Sequence, residues 1–167
     1  MKRRPNLTAT CILLCNLLGL FLLASWNDIW ARLGLHFHLP SLFFLFAALR
    51  LDRRRGILVT FLTGLFIDAI VPGPFFGFHA FALVACDLVA REWGEAFRPL
   101  RGRRPLLFLQ ATNATVLLLL SVWRLVTVPA EAPGLGGHLS ADLLASQLFL
   151  LPAGAWFLAF QRSILFY

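Results

Sequence analysis

The chain has 167 residues, of which 59% are hydrophobic and 14% charged, with a mean hydropathy of +0.79. A soluble domain is about 45–50% apolar and about 25% charged, so a soluble core could not absorb this much apolar side chain. The net charge of +7 does not mark a nucleic-acid interface. The basic residues sit in short clusters between apolar runs, which is the pattern that orients a membrane protein.

Lys2-Arg3-Arg4-Pro5 opens the chain ahead of an apolar run over 7–26. A basic start before an apolar run also suits a signal peptide. Ala24-Ser25 is followed at once by Trp26, however, which makes a poor cleavage site. The run is long enough to cross a ~30 Å hydrocarbon core and reads as an uncleaved first span, with Trp26 and Trp30 as interfacial anchors. Asn27 to His38 is a polar-aromatic link carrying Asp28 and Arg32.

Pro40 suits the first turn of a helix, where a missing N–H costs nothing. The second span, placed at 35–51, is short. It either borrows residues from Leu33 to Phe37 or is not fully exposed to lipid. Arg50 to Arg55 is a basic turn, and 56–71 forms the third span. Pro72-Gly73-Pro74 cannot continue a helix and reads as a tight turn. The fourth span covers 75–91. A polar segment from Arg91 to Arg104 carries five arginines, and the fifth span covers 106–128. After a Pro/Gly-rich loop the sixth span covers 141–160, with a kink expected at Pro152 and Gly154. The expected fold is therefore all-α: a single membrane domain, residues 1–167, built as a six-helix bundle.

With both termini in the cytoplasm, thirteen of the fifteen basic residues lie inside and only Arg32 and Arg124 outside. All the loops are short, so the positive-inside rule applies at full strength.

Three ionisable groups fall within the spans at one level of the outer leaflet. Asp68 precedes Pro72 by four residues, roughly 6 Å at the ~1.5 Å helical rise. His79 follows Pro74 by five, and Arg124 precedes Pro129 by five. Intramembrane charges pair with one another and mark functional sites. Two readings stay open: a small polar pocket or partner-docking point facing outward, or an internal ion pair that fixes packing, with Arg124 snorkelling to the headgroups. Asp87 is placed to pair with Arg91 one turn on. Asn16, Gln110, Asn113 and Gln147 are read as interhelical hydrogen-bonding residues, and Thr60 with Gly64 as a small-residue packing face. Cys11, Cys15 and Cys86 lie in apolar runs without further ligands, so no metal site is expected. No nucleophile elbow, zinc helix or Walker loop is present, which argues against an enzyme and against a cofactor.

From Pro40 to Ala80 the chain resembles the bacterial rod-shape-determining MreD family. The residues that carry the resemblance are Pro40, the basic turn Arg50 to Arg55, Gly64-x-x-x-Asp68, the Pro72-Gly73-Pro74 turn, and Gly77-Phe-His79-Ala80. Ser41 stands where the family often has an acid, and Arg124 has no counterpart. The resemblance implies a non-catalytic inner-membrane subunit of the cell-elongation, peptidoglycan-synthesis machinery. Its partners would be an MreC-like scaffold and, through it, a RodA-type glycan polymerase with its penicillin-binding transpeptidase, and MreB. It also implies a fold similar to the substrate-binding subunits of energy-coupling-factor transporters. The rival reading is accordingly a subunit that binds a small, vitamin-type molecule near Asp68 and His79. The Ala-x-x-x-Ala docking motif frequent on the first span of such subunits is absent.

The topology is tested by single cysteines at Arg54, Gly102 and Gly136 in a background lacking native cysteines. In intact spheroplasts only position 136 should react with an impermeant thiol reagent. Labelling at 54 would contradict the orientation.

Overall fold

The computed structural model describes residues 5–71, 74–92, 103–127 and 135–166. Every regular element among them is helical: α1 (Pro5–Trp30), α2 (Leu45–Arg50), α3 (Arg53–Ile70), α4 (Phe78–Glu92), α5 (Arg103–Thr127) and α6 (Leu135–Phe166). A 3-10 turn over Ala31–Leu33 extends α1, and another over Pro40–Phe43 leads into α2. Pro72 and Gly73, two of the expected turn residues, lie outside the described residues, as do 93–102 and 128–134.

Three stretches are long and apolar enough to cross a membrane: Asn6–Leu33, Leu106–Thr127 and Gly137–Ile164. In the most apolar window of the first, mean hydropathy is 2.3 and only 22% of residues are buried within the chain. Leu7, Leu14, Phe21 and Ile29 all face outward. So much exposed apolar surface requires a surrounding apolar phase, and no charged residue interrupts the helix between Asn6 and Asn27. α6 runs unbroken through Pro152, so the expected kink does not interrupt the helix.

The remaining helices are shorter. The second span was expected at 35–51, but helix begins only at Pro40, and residues 34–39 form no helix. Of the two alternatives left open by the sequence, the structure has the second. Leu39 through Ala48 are all buried, and the Pro40–Arg50 unit packs against all five other helices. It is a half-length helix inserted into the centre of a bundle, and so is apolar on every side. Phe43 meets Phe157 of α6 edge-on at 5.4 Å, and Phe44 meets Phe108 of α5 at 6.1 Å.

α3 starts where Asp52 accepts the Arg55 backbone N–H at 3.4 Å. The Arg55 side chain bonds the same carboxylate at 2.7 Å and holds it below the usual carboxylate range. From there α3 and α4 form the most closely packed pair in the chain. Gly64 makes that possible: a Cβ on it would run into the backbone of Ala80, as expected of small residues at intramembrane helix crossings.

Gly64→Ala should therefore lower stability by about 1–3 kcal/mol, the usual penalty for overpacking. Gly137→Ala is the control, since a Cβ there meets nothing within 4 Å. Thermal unfolding of the two purified variants in mild detergent reads the difference. Equal midpoints would contradict the close α3–α4 contact.

Candidate functional site

Asp68 stands near the end of α3, beside the start of α4. A helix N-terminus leaves its first backbone N–H groups without intrahelical partners, and α4 begins just past Gly77, whose φ of +101° suits glycine. Asp68 supplies what α4 lacks. Its Oδ1 accepts the His79 N–H at 3.0 Å and its Oδ2 the Ala80 N–H at 3.2 Å. The His79 ring closes the arrangement, with Nδ1 at 2.8 Å from Asp68 Oδ1. Only 1% of the Asp68 side chain and 2% of the His79 side chain are exposed. The carboxylate thus caps a neighbouring helix rather than its own, and the positive end of the α4 dipole favours its charge.

The structure joins Asp68 with His79, and Gly64 and Gly77 sit on either side of the junction. Pro74 falls in the described part of the turn. Arg124 is not joined to the pair: no ion pair or hydrogen bond among the described residues involves its side chain. It lines a small cavity between α5 and α6 together with His38, Ser121 and Asp142. His38 and His79 also line a second cavity, of about 50 Å³, bounded by Asn27, Phe37 and Pro40. That volume holds a few waters at most, given that one water needs about 10–15 Å³.

A second constellation was not singled out by the sequence reading. The segment 36–38 is non-helical, yet side chains from three helices answer its backbone. Asn27 of α1 forms a two-way pair with Phe37, accepting its N–H at 2.8 Å and donating to its carbonyl at 2.9 Å. Asp142 of α6 accepts the His36 N–H at 2.8 Å, and Ser146 accepts the His38 N–H at 2.9 Å. Asn113 of α5 donates to the His38 carbonyl at 3.1 Å. The Ser41 hydroxyl lies within bonding distance of both Asn113 Oδ1 and the Leu109 carbonyl.

Two further polar clusters fasten the Pro40–Arg50 unit. Asn16 donates to the Phe43 carbonyl at 2.8 Å and to Thr63 at 3.1 Å, and accepts from Gln161 at 2.9 Å. At the other end Asp87 and Arg91 form the expected pair at 2.6 Å. Arg91 also donates to the Leu51 and Ala47 carbonyls at 3.0 and 3.3 Å, so it caps the C-terminus of α2. Gly56 leaves room for that guanidinium, since a Cβ there would collide with it. Gln110 bonds the Gln147 backbone carbonyl at 3.3 Å, so Asn16, Gln110 and Asn113 take the interhelical roles read for them, whereas the side-chain Nε2 of Gln147, read in the same way, is buried with no hydrogen-bond partner among the described residues.

Residues that hold these backbone groups carry weak signals in sequence. Asn27 and Asp142 lie near the ends of apolar runs, where polar residues are ordinary. Ser146 is small and common in membrane helices.

Among the described residues no group of three or more His, Cys, Asp or Glu side chains could hold a metal ion. Comparison of the chain with protein-family models, with curated proteins and with solved structures gives no match.

Asp68→Leu strands two backbone N–H groups and an imidazole nitrogen. At about 1–3 kcal/mol per buried unsatisfied group, it should greatly reduce the yield of folded protein. Asp68→Asn keeps one oxygen for His79 and turns its NH2 toward the Ala80 N–H, so one buried group is left unpaired at about 1–3 kcal/mol, less than for Leu, which strands three. Unfolding midpoints of both variants in detergent check the order. A destabilisation by Asn as large as that by Leu would mean that the charge, not the cap, is what matters.

Proposed function

We propose that this chain is a non-catalytic, six-span subunit of the bacterial inner membrane that works by holding partner proteins. The observation that carries the reading is how its buried polar groups are used. Asp68, His79, Asp87, Arg91, Asn16, Asn27 and Asn113 are all engaged in fastening helices and a non-helical segment to one another. Such a bundle is suited to presenting a fixed outer surface. α2, α3 and α4 complete the six spans, with α2 shielded by the others. The MreD resemblance names the setting: the cell-elongation complex, with an MreC-like scaffold as direct partner and RodA, its transpeptidase and MreB further off. The same resemblance carries the likeness in fold to energy-coupling-factor subunits.

The rival reading, binding of a vitamin-type molecule, needs a chamber. Ligand pockets measure about 300–1,000 Å³ and carry convergent polar groups. The cavity at His79 measures about 50 Å³, and a larger groove between α1 and α6, about 350 Å³, is lined by apolar residues alone, which favours the scaffold reading.

On this reading Arg124 is the contact to a partner. Intramembrane charges seek opposite charges, Arg124 is partly exposed, and Asp68 is already spent on α4. A carboxylate on the partner's outer-leaflet segment is the complementary group. Depletion in a rod-shaped host should round and widen the cells, and an MreC-like protein should co-purify with the tagged chain. Arg124→Gln should reduce that recovery at unchanged abundance, whereas Asp68→Asn should retain it. Normal cell shape on depletion, with tight retention of a vitamin-like molecule, would favour the transporter subunit.

A further inference from the structure

The fold uses the backbone of His38, whose N–H and carbonyl are taken by Ser146 and Asn113. It does not use the ring, which makes no hydrogen bond or ion pair among the described residues. His38 is also the one residue shared by the two small cavities described above. The first, about 50 Å³, carries Asn27 and His79 beside it. The second, about 20 Å³, carries Ser121, Arg124 and Asp142. A water needs about 10–15 Å³ and two to four polar partners. The second cavity meets both conditions for one water, and the first has room for a few.

Titratable and charged groups face His38 from several elements: His79 of α4 with Asp68 of α3 behind it, Arg124 of α5, Asp142 of α6, and His36 of its own segment. α1 contributes the uncharged Asn27. Ser121 and Arg124 are only half-buried, so the second cavity lies beside the surface, whereas Asp68 and His79 are enclosed. His79 has Nδ1 on Asp68 and Nε2 without a partner among the described residues. From the surface inward the order is Arg124 with Asp142, a water-sized space, His38, a second space, His79, Asp68. Chains of acid and imidazole within a membrane protein are the usual material of proton relays, because an imidazole can take a proton on one nitrogen and release one from the other.

We propose that the Asp68–His79 pair is a proton-binding site, loaded from the surface beside Arg124 and Asp142 through His38 and water in the two cavities. A hydronium ion passes its proton to the outer water, which protonates one nitrogen of His38. The other nitrogen releases its proton to the inner water, which protonates Nε2 of His79. One proton leaves the surface and one joins the pair, where the imidazolium forms against the Asp68 carboxylate. The path ends there. The nearest charged group further along α4 is Asp87, roughly 12 Å on at the ~1.5 Å helical rise, and it is paired with Arg91. A blind path fills a site and carries no proton across the chain. The pH at the surface thereby sets the charge of the joint that caps α4. The inference goes beyond the scaffold reading and stands whichever partner the protein has.

Exchange between water and the imidazole rings tests it, read by solid-state NMR on the full chain with isotope-labelled histidine in lipid nanodiscs. In the native chain both His38 and His79 should exchange with water, and His79 should gain a proton when the buffer is taken from neutral to acid. His38→Phe keeps the backbone bonds. It should slow exchange at His79 by about a hundredfold, the contribution of one positioned acid–base group, with the Phe37 amide as protected as before. Should that variant fail to fold, Ser121→Leu fills the smaller cavity and should slow exchange at both rings. A His79 ring that meets no water in the native chain, one that gains no proton in acid, or exchange at His79 as fast in the variants as in the native chain would each overturn the proposal.

Discussion

A backbone that leaves the helix inside a packed bundle must have its buried N–H and C=O groups answered by other protein groups. In residues 36–38 the His36 N–H and both backbone groups of Phe37 and His38 are answered by Asn27, Asn113, Asp142 and Ser146, drawn from α1, α5 and α6. The consequence reaches the whole bundle. With its entry anchored on three helices, the chain is fed inward, and the Pro40–Arg50 unit, a 3-10 turn running into α2, falls short of full length. A half-length helix in that position is enclosed on every side, and it becomes the element that all others touch.

Lipid tails are as apolar as leucine, so helices in a bilayer gain little from hydrophobic contact with one another and depend on close packing and polar pairs. This chain uses both at the ends of its short helices. Asp68 caps the N-terminus of α4 from α3, and Arg91 caps the C-terminus of α2 from α4. Each charged side chain is matched by a glycine, Gly64 in one case and Gly56 in the other, that lets the partner backbone or guanidinium come close. The charges that sequence alone would mark as functional are thus joints. The resulting body is tied together at both ends of its central helix, which is the property a scaffold subunit needs. Surface groups are then left to meet partners and lipid.

Hydropathy made the membrane class and the three long helices legible, because a run of some twenty apolar residues has few other uses. The spacing of Asp87 and Arg91 announced their pair, since i and i+4 share a helix face. Asp68 and His79 were placed together by the short turn between them. Their geometry was not legible: nothing in the spacing says that the carboxylate bonds the backbone of α4 as well as the ring. Arg124 was grouped with them by depth but lines the neighbouring cavity with His38 and makes no bond to either, since depth along a helix leaves the direction around its axis undetermined. The least legible feature was the segment ahead of Pro40. Residues 35–39 alternate Leu, Phe and Leu with two histidines, a pattern that does not announce its partners, and the side chains that bond its backbone lie as far as 108 residues away in sequence.

The central claim is that Phe37 and His38 are non-helical yet bonded within the protein through both their N–H and C=O groups. Amide hydrogen exchange of the full chain in lipid nanodiscs, resolved to single residues, addresses it directly. Phe37 and His38 should be protected to the same degree as Leu45 to Ala48 of α2, and Asn27→Ala should release Phe37 while leaving α2 protected. Exchange at Phe37 as fast as at an exposed surface amide, or protection indifferent to Asn27, would contradict the account.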